Sequence, residues 1–389
     1  MGFKVIIVGG SVSGLSLASM LEKFDIDYIL LEGHTTIAPQ LGASLGLLPT
    51  GLRILDQLGC YDKIREIVGN TYYGAQMRLF SGKTWVDTKP ITFSEKLEER
   101  IGYPQTFVDR QAVIQVLFDS LKYKDRVLTS KRVHVVEHGE DHVTVHTKDG
   151  SKYTGDIVVG ADGIHSTVRQ EMWRIARDAK SDIFQLDPLA DLHEHREQTS
   201  LVSIEDHVFP RWHYRRIITI GDAAHKLHPI SAQGGNGAME TAAVLVNRLV
   251  ATLQDQDAKE SLTECDIDEI FADVQTKRFQ RAVDAVNQGR QTNSASIKET
   301  FFSKIFVDYF FPRFGQSLIF SLIVKNTTSA PYIARLPLPP RYTIAIERHQ
   351  KRNPKRNWTA WSFMSLGVGV IVIFMYARFR AASLHGTDL

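Results

Sequence analysis

The stretch that decides the fold is VIIVGGSVSG, residues 5–14, in which a run of branched apolar residues ends in a glycine-rich turn. A strand that ends in glycines lets backbone N–H groups and the start of the next helix approach a pyrophosphate closely. Gly9 and Gly14 take the outer positions of the pattern G-x-G-x-x-G, but Ser11 stands at the middle position, where a Cβ takes up room. Gly10 beside it can relieve that crowding. Alone, the turn fits a nucleotide site and a structural turn equally well.

The residues after this turn favour the nucleotide site. LSLASMLEKF has a helical pattern, and DYILLEGH is a second short apolar strand that ends at Glu32. The acid follows the glycines by roughly the 20 residues typical of a βαβ unit, where a carboxylate binds the ribose hydroxyls. Taken alone, Glu32 could also be a solvated strand end. The order of strand, glycine turn, helix, strand and acid indicates a dinucleotide site.

Composition sets the limits around that site. A chain of 389 residues with 43% apolar content can form two domains, or one large domain with insertions. Its 46 basic and 44 acidic residues leave a net charge of +2, which gives no reason to expect a nucleic-acid partner. Cys60 and Cys265 form neither a disulfide framework nor a metal-ligand set.

An uncharged segment near the C-terminus predicts a membrane anchor. Residues 359–377 read TAWSFMSLGVGVIVIFMYA, and at about 1.5 Å per residue they are long enough to cross a bilayer. Aromatic residues flank the segment, and basic residues are concentrated before it, which predicts a cytosolic N-terminal part. A buried soluble helix is the alternative. A second apolar stretch, residues 314–324, is too short to span and is expected to pack as a core or interfacial helix.

The middle of the chain carries a second glycine turn. Residues 133–159 alternate as strands do, with hairpin turns at GED and KDG, and lead into GADGIHSTVR. There Gly160 and Gly163 bracket Asp162, and Ser166 and Arg169 are predicted to open a helix. Four histidines of the alternating region (His134, His138, His142 and His146) are interpreted as one polar face. A metal site formed by them is disfavoured, because no carboxylate or cysteine completes the set.

A third motif stands in RIITIGDAAHKLHPISAQGGNGAMETAAVLVNRL, residues 216–249. A strand ends at Gly221 and Asp222, and after Pro229 the residues 234–236 begin an amphipathic helix. This arrangement offers a carboxylate to a sugar hydroxyl and free N–H groups to a negatively charged ring or phosphate. His225 and His228 are either catalytic or polar loop residues, and the loop interpretation is favoured.

With these three motifs in order, the sequence resembles the FAD-dependent aromatic hydroxylase class of monooxygenases. Further likeness lies in GASLGLLPTGLRILDQLG, in FVDRQAVIQVLF and in HYRRIITIGDAAHKLHPISAQGGN. These stretches are similar to the fungal membrane-bound monooxygenases of the paxilline and meroterpenoid type, which epoxidise prenyl double bonds before a cyclase closes terpenoid rings. The resemblance implies an α/β fold. Its FAD-binding domain would be Rossmann-like, as in p-hydroxybenzoate hydroxylase, with a truncated β-sheet substrate domain and a C-terminal transmembrane helix.

The resemblance also implies roles for particular residues. Glu32 would bind the adenosine ribose, Arg110 the phosphates and Asp222 the ribityl chain. Gly46 and Gly235 would approach the cofactor, and the turn at Asp162 and Gly163 would serve FAD and the passing NADPH. The residues assigned to cofactor binding are Gly9, Gly10, Ser11, Gly14, Glu32, Gly46, Arg110, Asp162, Gly163, Asp222, Gly235 and Asn236. We assign no catalytic residue and no metal ligand.

The same resemblance implies the reactants and the place of the reaction. FAD would be the cofactor, NADPH or NADH the electron donor, and dioxygen and a hydrophobic small molecule the substrates. A downstream terpene cyclase is an expected partner. The tail anchor predicts attachment to the endoplasmic reticulum with the FAD domain in the cytosol.

One departure from the family stands between Gly163 and Gly221, where the chain is less than half as long as the resemblance predicts. Three functions therefore stay open: a membrane-anchored epoxidase, a catalytically impaired FAD-binding remnant or scaffold, and an aromatic-ring hydroxylase. The predicted organisation is a first FAD-binding part (1–175, with substrate-side strands around 72–105), a shortened substrate-domain remnant (176–212), a second FAD-binding part with C-terminal helices (213–345), a basic linker (346–358), the transmembrane helix (359–377) and a tail (378–389).

Overall fold

The computed structural model describes residues 2–39, 44–69, 76–78, 84–87, 90–179, 206–255, 262–297, 304–305, 309 and 311–352. The strands are β1 Lys4–Val8, β2 Asp27–Leu31, β3 Ser44–Leu47, β4 Gln76–Arg78, β5 Thr84–Asp87, β6 Thr106–Asp109, β7 Val127–Leu128, β8 Val133–His138, β9 Val143–Thr147, β10 Lys152–Gly155, β11 Ile157–Gly160, β12 His207–Val208, β13 His213–Tyr214, β14 Ile217–Thr219 and β15 His225–Lys226. The α-helices are α1 Val12–Glu22, α2 Pro49–Gln57, α3 Tyr61–Val68, α4 Pro90–Ile101, α5 Arg110–Asp119, α6 Thr167–Asp178, α7 Gly234–Asp255, α8 Glu264–Ser296, α9 Phe311–Thr328 and α10 Pro340–Arg352.

The main sheet has the strand order β13-β14-β11-β1-β2-β7. Every neighbouring pair in it is parallel except β13 and β14, which are antiparallel. β1 lies at the centre because its branched apolar residues suit a strand that is covered on both faces. A parallel sheet brings the carboxyl ends of its strands to one edge, which is where such folds bind ligands. The predicted Rossmann-like α/β core is confirmed.

The core lies on both faces of this sheet. Val5 and Ile7 pack into an apolar cluster with residues of α1, α5 and α7. Ile6 and Val8 point to the opposite face, where residues of α6 and of the antiparallel sheet β10-β9-β8 cover them. Alternate residues of β1 therefore hold the two layers together. The hairpins predicted at GED and KDG join β8 to β9 and β9 to β10.

The last described helices dock on α2. Arg53 of α2 is buried, donates a hydrogen bond of 2.8 Å to the carbonyl of Ala330, and lies 5.0 Å from the ring centre of Tyr342 in α10. Asp56 accepts a hydrogen bond of 2.7 Å from Nε of Arg341. These contacts fix the chain from residue 330 onward against the nucleotide-binding part.

Two stretches differ from the prediction. Within 72–105, β4 and β5 form an antiparallel pair, but Pro90–Ile101 is the helix α4 and not a strand. The described part of the predicted basic linker (346–358) is helical, because α10 continues to Arg352. Glu, Gln, Lys and Arg are good helix formers, so a charged stretch after an apolar-faced turn extends the helix.

The structure describes one of the two apolar segments that the sequence relates to a membrane. In the part of the chain that the structure describes, no helix is both long enough and apolar enough to cross a bilayer, and residues 359–377 lie outside that part. The stretch 314–324 belongs to α9, whose inner side contacts α4 through Phe93 and Phe320. Its outer side exposes Phe314 (52%), Leu318 (41%), Ile319 (37%) and Leu322 (40%).

Candidate cofactor site

The three glycine turns of the sequence meet at one edge of the main sheet. They follow β1, β11 and β14, and Glu32 follows β2, so all four connections leave the carboxyl ends of mutually parallel strands. The first residues of α1, α6 and α7 face the same connections. The pattern predicted from sequence is therefore brought together in space.

The first turn is as tight as the glycine pattern requires. Gly9 has a φ of +109°, a conformation that L side chains rarely adopt, and a Cβ there would lie 2.5 Å from the carbonyl oxygen of Ala161. Gly10 lies against Glu32, whose Oε2 accepts a hydrogen bond of 2.5 Å from the Gly10 N–H. Oε1 of the same carboxylate accepts a bond of 2.8 Å from the His34 N–H. Glu32 thus links the glycine turn to the end of β2.

Ser11, the departure from the three-glycine pattern, has a partner. Its hydroxyl accepts a hydrogen bond of 2.8 Å from Nη2 of Arg110, the first residue of α5. Arg110 is exposed, and Asp109 before it caps the helix by accepting from the Gln111 N–H at 3.1 Å. A cation therefore stands directly beside the start of α1, where a diphosphate would bind.

The second turn is ordered by its own acid. Asp162 accepts a hydrogen bond of 2.5 Å from the Ser166 hydroxyl and one of 3.1 Å from the Val168 N–H, so its carboxylate caps the start of α6. Burial raises the pKa of Asp162 above its ordinary value, although these hydrogen bonds oppose the shift. Gly163 follows with a φ of +81°. The carboxylate holds the turn in shape, and the backbone of the turn faces Gly9.

The third turn contacts α1 and α7. A Cβ on Gly221 would lie 2.9 Å from the Ser13 hydroxyl oxygen. Asp222 pairs with Lys226 at 2.5 Å, and its Oδ1 is 4.0 Å from the position that a Cβ on Gly234 would occupy. Asp222 therefore lies between the end of β14 and the start of α7.

Asn236 joins two segments that are distant in sequence. Its Nδ2 donates to the Gly46 carbonyl at 2.8 Å, and its Oδ1 accepts from the Leu48 N–H at 3.0 Å. Gly46 has no room for a side chain because Ala232 lies against it, and a Cβ on Gly235 would be 2.8 Å from Leu45. The two glycines thus bring backbone close together where the resemblance places the cofactor ring. Asn236 is buried and has a supporting role here.

Of the two histidines of the third motif, His228 is a loop residue as predicted, whereas His225 begins the short strand β15. His225 is buried, and its Nε2 lies 2.8 Å from the Thr241 hydroxyl. His228 accepts a hydrogen bond of 3.2 Å from the Ile230 N–H and so caps the short 3-10 turn Pro229–Ser231. Ala232 ends that turn with a φ of +52°, a strained conformation for a residue with a side chain.

Arg169 connects two of the three turns, a role that its place in the second motif did not predict. Its guanidinium donates to the Ala223 carbonyl at 2.8 Å and to the Ile164 carbonyl at 2.6 Å. It also lies 4.0 Å from the ring centre of Phe209. Arg169 therefore ties the second turn to the third. The sequence signal was an arginine opening a helix, but its partner in the third motif is not visible in sequence.

Metal chemistry has no candidate centre in the described ranges. No group of three or more histidine, cysteine or acidic side chains there is arranged to hold an ion. His138 and His146 of the alternating strands face acidic partners instead, Glu264 at 3.4 Å and Glu137 at 2.8 Å.

Comparison with known proteins agrees with this geometry. The family described as FAD binding domain matches residues 2–187 and 173–268. The FAD-dependent monooxygenase olcE of Penicillium canescens is 30% identical over 427 aligned positions, which cover 87% of this chain and 90% of that protein. The FAD-dependent monooxygenase spyC of Aspergillus fumigatus is 31% identical, with coverage of 81% and 84%.

A solved structure shares the fold. HpxO of Klebsiella pneumoniae, complexed with FAD and uric acid, aligns with a TM-score of 0.66 at 20% identity and covers 85% of this chain and 97% of that one. At that identity the likeness establishes the fold alone. The family match and the relatives establish more: the chain belongs to the FAD binding domain family. Within it, the protein is an FAD-dependent monooxygenase.

The residues at the sheet edge fit FAD. Glu32 offers a carboxylate at the end of β2, Arg110 offers a cation beside the first turn, and the close approach at Gly46 and Gly235 leaves backbone where a flat ring would stack. Asp222 lies beside Gly234, at the start of α7. These are the groups that would hold the ribose, the diphosphate, the ring and the ribityl chain.

Proposed function

We propose that the protein uses NADPH or NADH, FAD and dioxygen to epoxidise a prenyl double bond of a terpenoid or meroterpenoid intermediate in secondary metabolism. The observation that carries the proposal is the meeting of all three glycine turns at one sheet edge. The chain is also 30% and 31% identical to two FAD-dependent monooxygenases. One oxygen atom would enter the alkene, and the other would leave as water with the two electrons of the nicotinamide.

The chain's own residues would bind and orient the cofactor. When bound, FAD would accept hydride from the nicotinamide and activate dioxygen. Glu32 would fix the adenosine end and Arg110 the diphosphate, while Asn236 would hold Gly46 in place for the ring. The turn at Asp162 and Gly163 would meet both FAD and the nicotinamide nucleotide. We propose residues 1–175 and 213–345 as the two parts of one FAD-binding domain, with 176–212 as the remnant of a substrate domain.

A membrane location supports a prenylated substrate over a simple phenol. We propose that residues 359–377 anchor the protein in the endoplasmic reticulum, with the FAD domain cytosolic, so that a downstream terpene cyclase receives the product there. The exposed apolar side of α9, formed by Phe314, Leu318, Ile319 and Leu322, supports a nearby lipid surface. Lys325 in the last turn of α9 would face lipid headgroups.

The shortened middle bears on how well oxygen transfer is coupled. The alignment with olcE spans 427 positions, more than this chain's 389 residues, so that relative carries residues that this chain lacks. The two ranges that match the family overlap at 173–187, at the start of the predicted remnant. A substrate domain that covers less of the flavin ring would admit water to the active site and would leave one side of the substrate without protein contacts. We therefore propose reduced coupling, and full loss of oxygen transfer, leaving an FAD-binding scaffold, is the second candidate.

The test compares two substrates on full-length protein loaded with FAD. One is a prenylated polycyclic alkene, and the other is a phenol of similar size without a prenyl chain. The proposal predicts that the alkene stimulates NADPH oxidation and yields an epoxide, with hydrogen peroxide accounting for the remaining NADPH. Hydroxylated phenol in place of epoxide would identify a ring hydroxylase, and FAD binding without either product would identify a scaffold.

A further inference from the structure

A buried charged network lies directly behind the start of α7. Glu240 of α7 and Arg278 of α8 are almost fully buried, and Oε2 of Glu240 accepts a bond of 2.6 Å from Nη1 of Arg278. Nε of Arg281, one helical turn further along α8, donates to the same oxygen at 2.7 Å. Two guanidinium groups therefore share one carboxylate.

The network carries a net positive charge. Burial alone would raise the pKa of Glu240, but the two arginines outweigh that effect and hold the pKa below its ordinary value, so the carboxylate is ionised. Arginine stays protonated in proteins. In the described ranges Arg278 and Arg281 pair with no other carboxylate. One elementary charge is thus left uncompensated where water cannot screen it fully.

The nearest polar group does not cancel this charge. The Thr241 hydroxyl accepts from Nε of Arg278 at 3.1 Å and donates to the Gly237 carbonyl at 3.0 Å. Its single proton is therefore used, so the adjacent His225 must carry its proton on Nε2 to bond with the same oxygen at 2.8 Å. Burial, and secondly Arg278, lowers the pKa of His225 to about 3, which keeps the ring neutral.

The charge is close to the proposed ring end of the cofactor site. Nη2 of Arg278 donates to the Gly237 carbonyl at 3.2 Å, and Gly237 is two residues after Gly235. The first N–H groups of α7 carry the positive end of the helix dipole toward the same place. A cation behind those groups adds to their field, and the field favours a ligand that becomes more negative.

We propose that the paired arginines Arg278 and Arg281 act as positioning and tuning residues that stabilise the reduced, more negatively charged form of the bound cofactor. The proposal rests on FAD binding at this edge, as argued above. Neither arginine needs to touch the cofactor, because the effect acts through the start of α7. A merely structural role would weaken oxidised and reduced FAD equally and leave the midpoint potential unchanged.

The decisive variant is Arg281→Met in the full-length FAD-loaded protein. It removes the excess charge and leaves Glu240 paired with Arg278. Lys277→Met is the matched control, since Lys277 lies on the same helix, is largely exposed and pairs with Asp273. The midpoint potential of bound FAD is measured by dye-linked titration. We expect a more negative potential for Arg281→Met, equal to about a tenfold selective loss of affinity for reduced FAD, and no shift for Lys277→Met.

An unchanged potential in Arg281→Met, or an equal shift in both variants, would overturn the proposal. If Arg281→Met does not retain FAD, the midpoint potential is measured in Arg281→Gln instead. Glutamine has no charge, but it can still donate hydrogen bonds to Glu240 and to the Asn326 carbonyl. Wild-type protein that binds no FAD would instead contradict the proposed site itself. The two failures are therefore distinguishable.

Discussion

Arg110 Nη2 donates a hydrogen bond of 2.8 Å to the hydroxyl of Ser11, across 99 residues of sequence. The serine that interrupts the three-glycine pattern thus holds a cation beside the start of α1. The bond depends on the packing of α5 against α1, which brings the start of α5 next to the first turn. In the proposed cofactor site, the serine would thereby hold the cation that binds the diphosphate.

This relationship predicts unequal effects of two substitutions. Arg110→Met should weaken FAD binding by about 10- to 100-fold, since a charge-assisted hydrogen bond contributes roughly 1.5–3 kcal/mol. Ser11→Ala leaves the cation in place and should cost less than about tenfold. Arg110 is exposed, so its loss should leave the fold intact. FAD titration followed by flavin fluorescence measures the affinity of both variants. An affinity of Arg110→Met equal to that of the wild type would contradict the assignment of Arg110 to the diphosphate.

Glu32 gives a second prediction on the adenosine end. Glu32→Ala should weaken FAD binding by roughly 1.5–3 kcal/mol, because in the proposed site this carboxylate would receive the ribose hydroxyls. Glu22→Ala is the matched control: Glu22 also accepts backbone N–H bonds, from Lys122 at 2.7 Å and Tyr123 at 3.0 Å, but at the far end of α1. Both variants should lower thermal stability. A loss of FAD affinity in Glu22→Ala as large as in Glu32→Ala would sink the assignment.

His225 predicts a pH dependence of stability. Its pKa is lowered to about 3 in the folded protein, by burial first and then by Arg278, whereas an unfolded histidine titrates near 6.5. Between these values only the unfolded chain binds the proton, so the free energy of unfolding falls as pH decreases, by up to about 1.4 kcal/mol per pH unit. The stabilisation is fully present above the unfolded pKa.

The variant His225→Gln isolates that contribution. Glutamine can donate to Thr241 but does not titrate, so the slope between pH 6 and pH 4 should be reduced by about one proton relative to wild type. Chemical denaturation of the FAD-loaded protein at several pH values gives the slope. Parallel curves for the two proteins would show that His225 is not the titrating group.

The membrane proposal predicts where the protein fractionates. Deleting residues 357–389 should release it from membranes into the soluble fraction, because the uncharged segment is removed. In the chain that lacks residues 357–389, Leu318→Ser with Leu322→Ser should reduce the residual binding to vesicles, while Ile67→Ser, at another exposed apolar residue, should not. Full-length protein that is already soluble after a high-salt wash would refute the anchor.

Much of the fold could be predicted because its signals are local. The strand, turn, helix and acid from Val5 to Glu32 are consecutive, and each motif lies next to the strand that carries it. The start of α7 at Gly234 followed from the same kind of local pattern. Helix α4 was not predicted because it is stabilised by packing against α9 and α10, which lie far away in sequence. The extension of α10 follows from the helix propensity of its charged residues, which was not weighed against the expectation of a linker.

The site was less predictable than the fold. Asn236 reaches Gly46 across 190 residues, and Arg169 reaches Ala223 across 54, so neither partner has a sequence signal. The capping of α6 by the Asp162 carboxylate was likewise not predicted, and the contact of its turn with FAD stays a prediction. Glu240 and Arg278 look like ordinary polar helix residues, and only packing of α7 on α8 buries them.

The measurement that tests the central claim most directly is incorporation of labelled oxygen. Full-length protein loaded with FAD is supplied with NADPH, ¹⁸O₂ and a prenylated polycyclic alkene, and the product is analysed by mass spectrometry. The account predicts an epoxide with one labelled oxygen atom, in an amount below the NADPH consumed, with the difference recovered as hydrogen peroxide. Oxidation of NADPH by the FAD-loaded protein with no labelled oxygen in the alkene would contradict it.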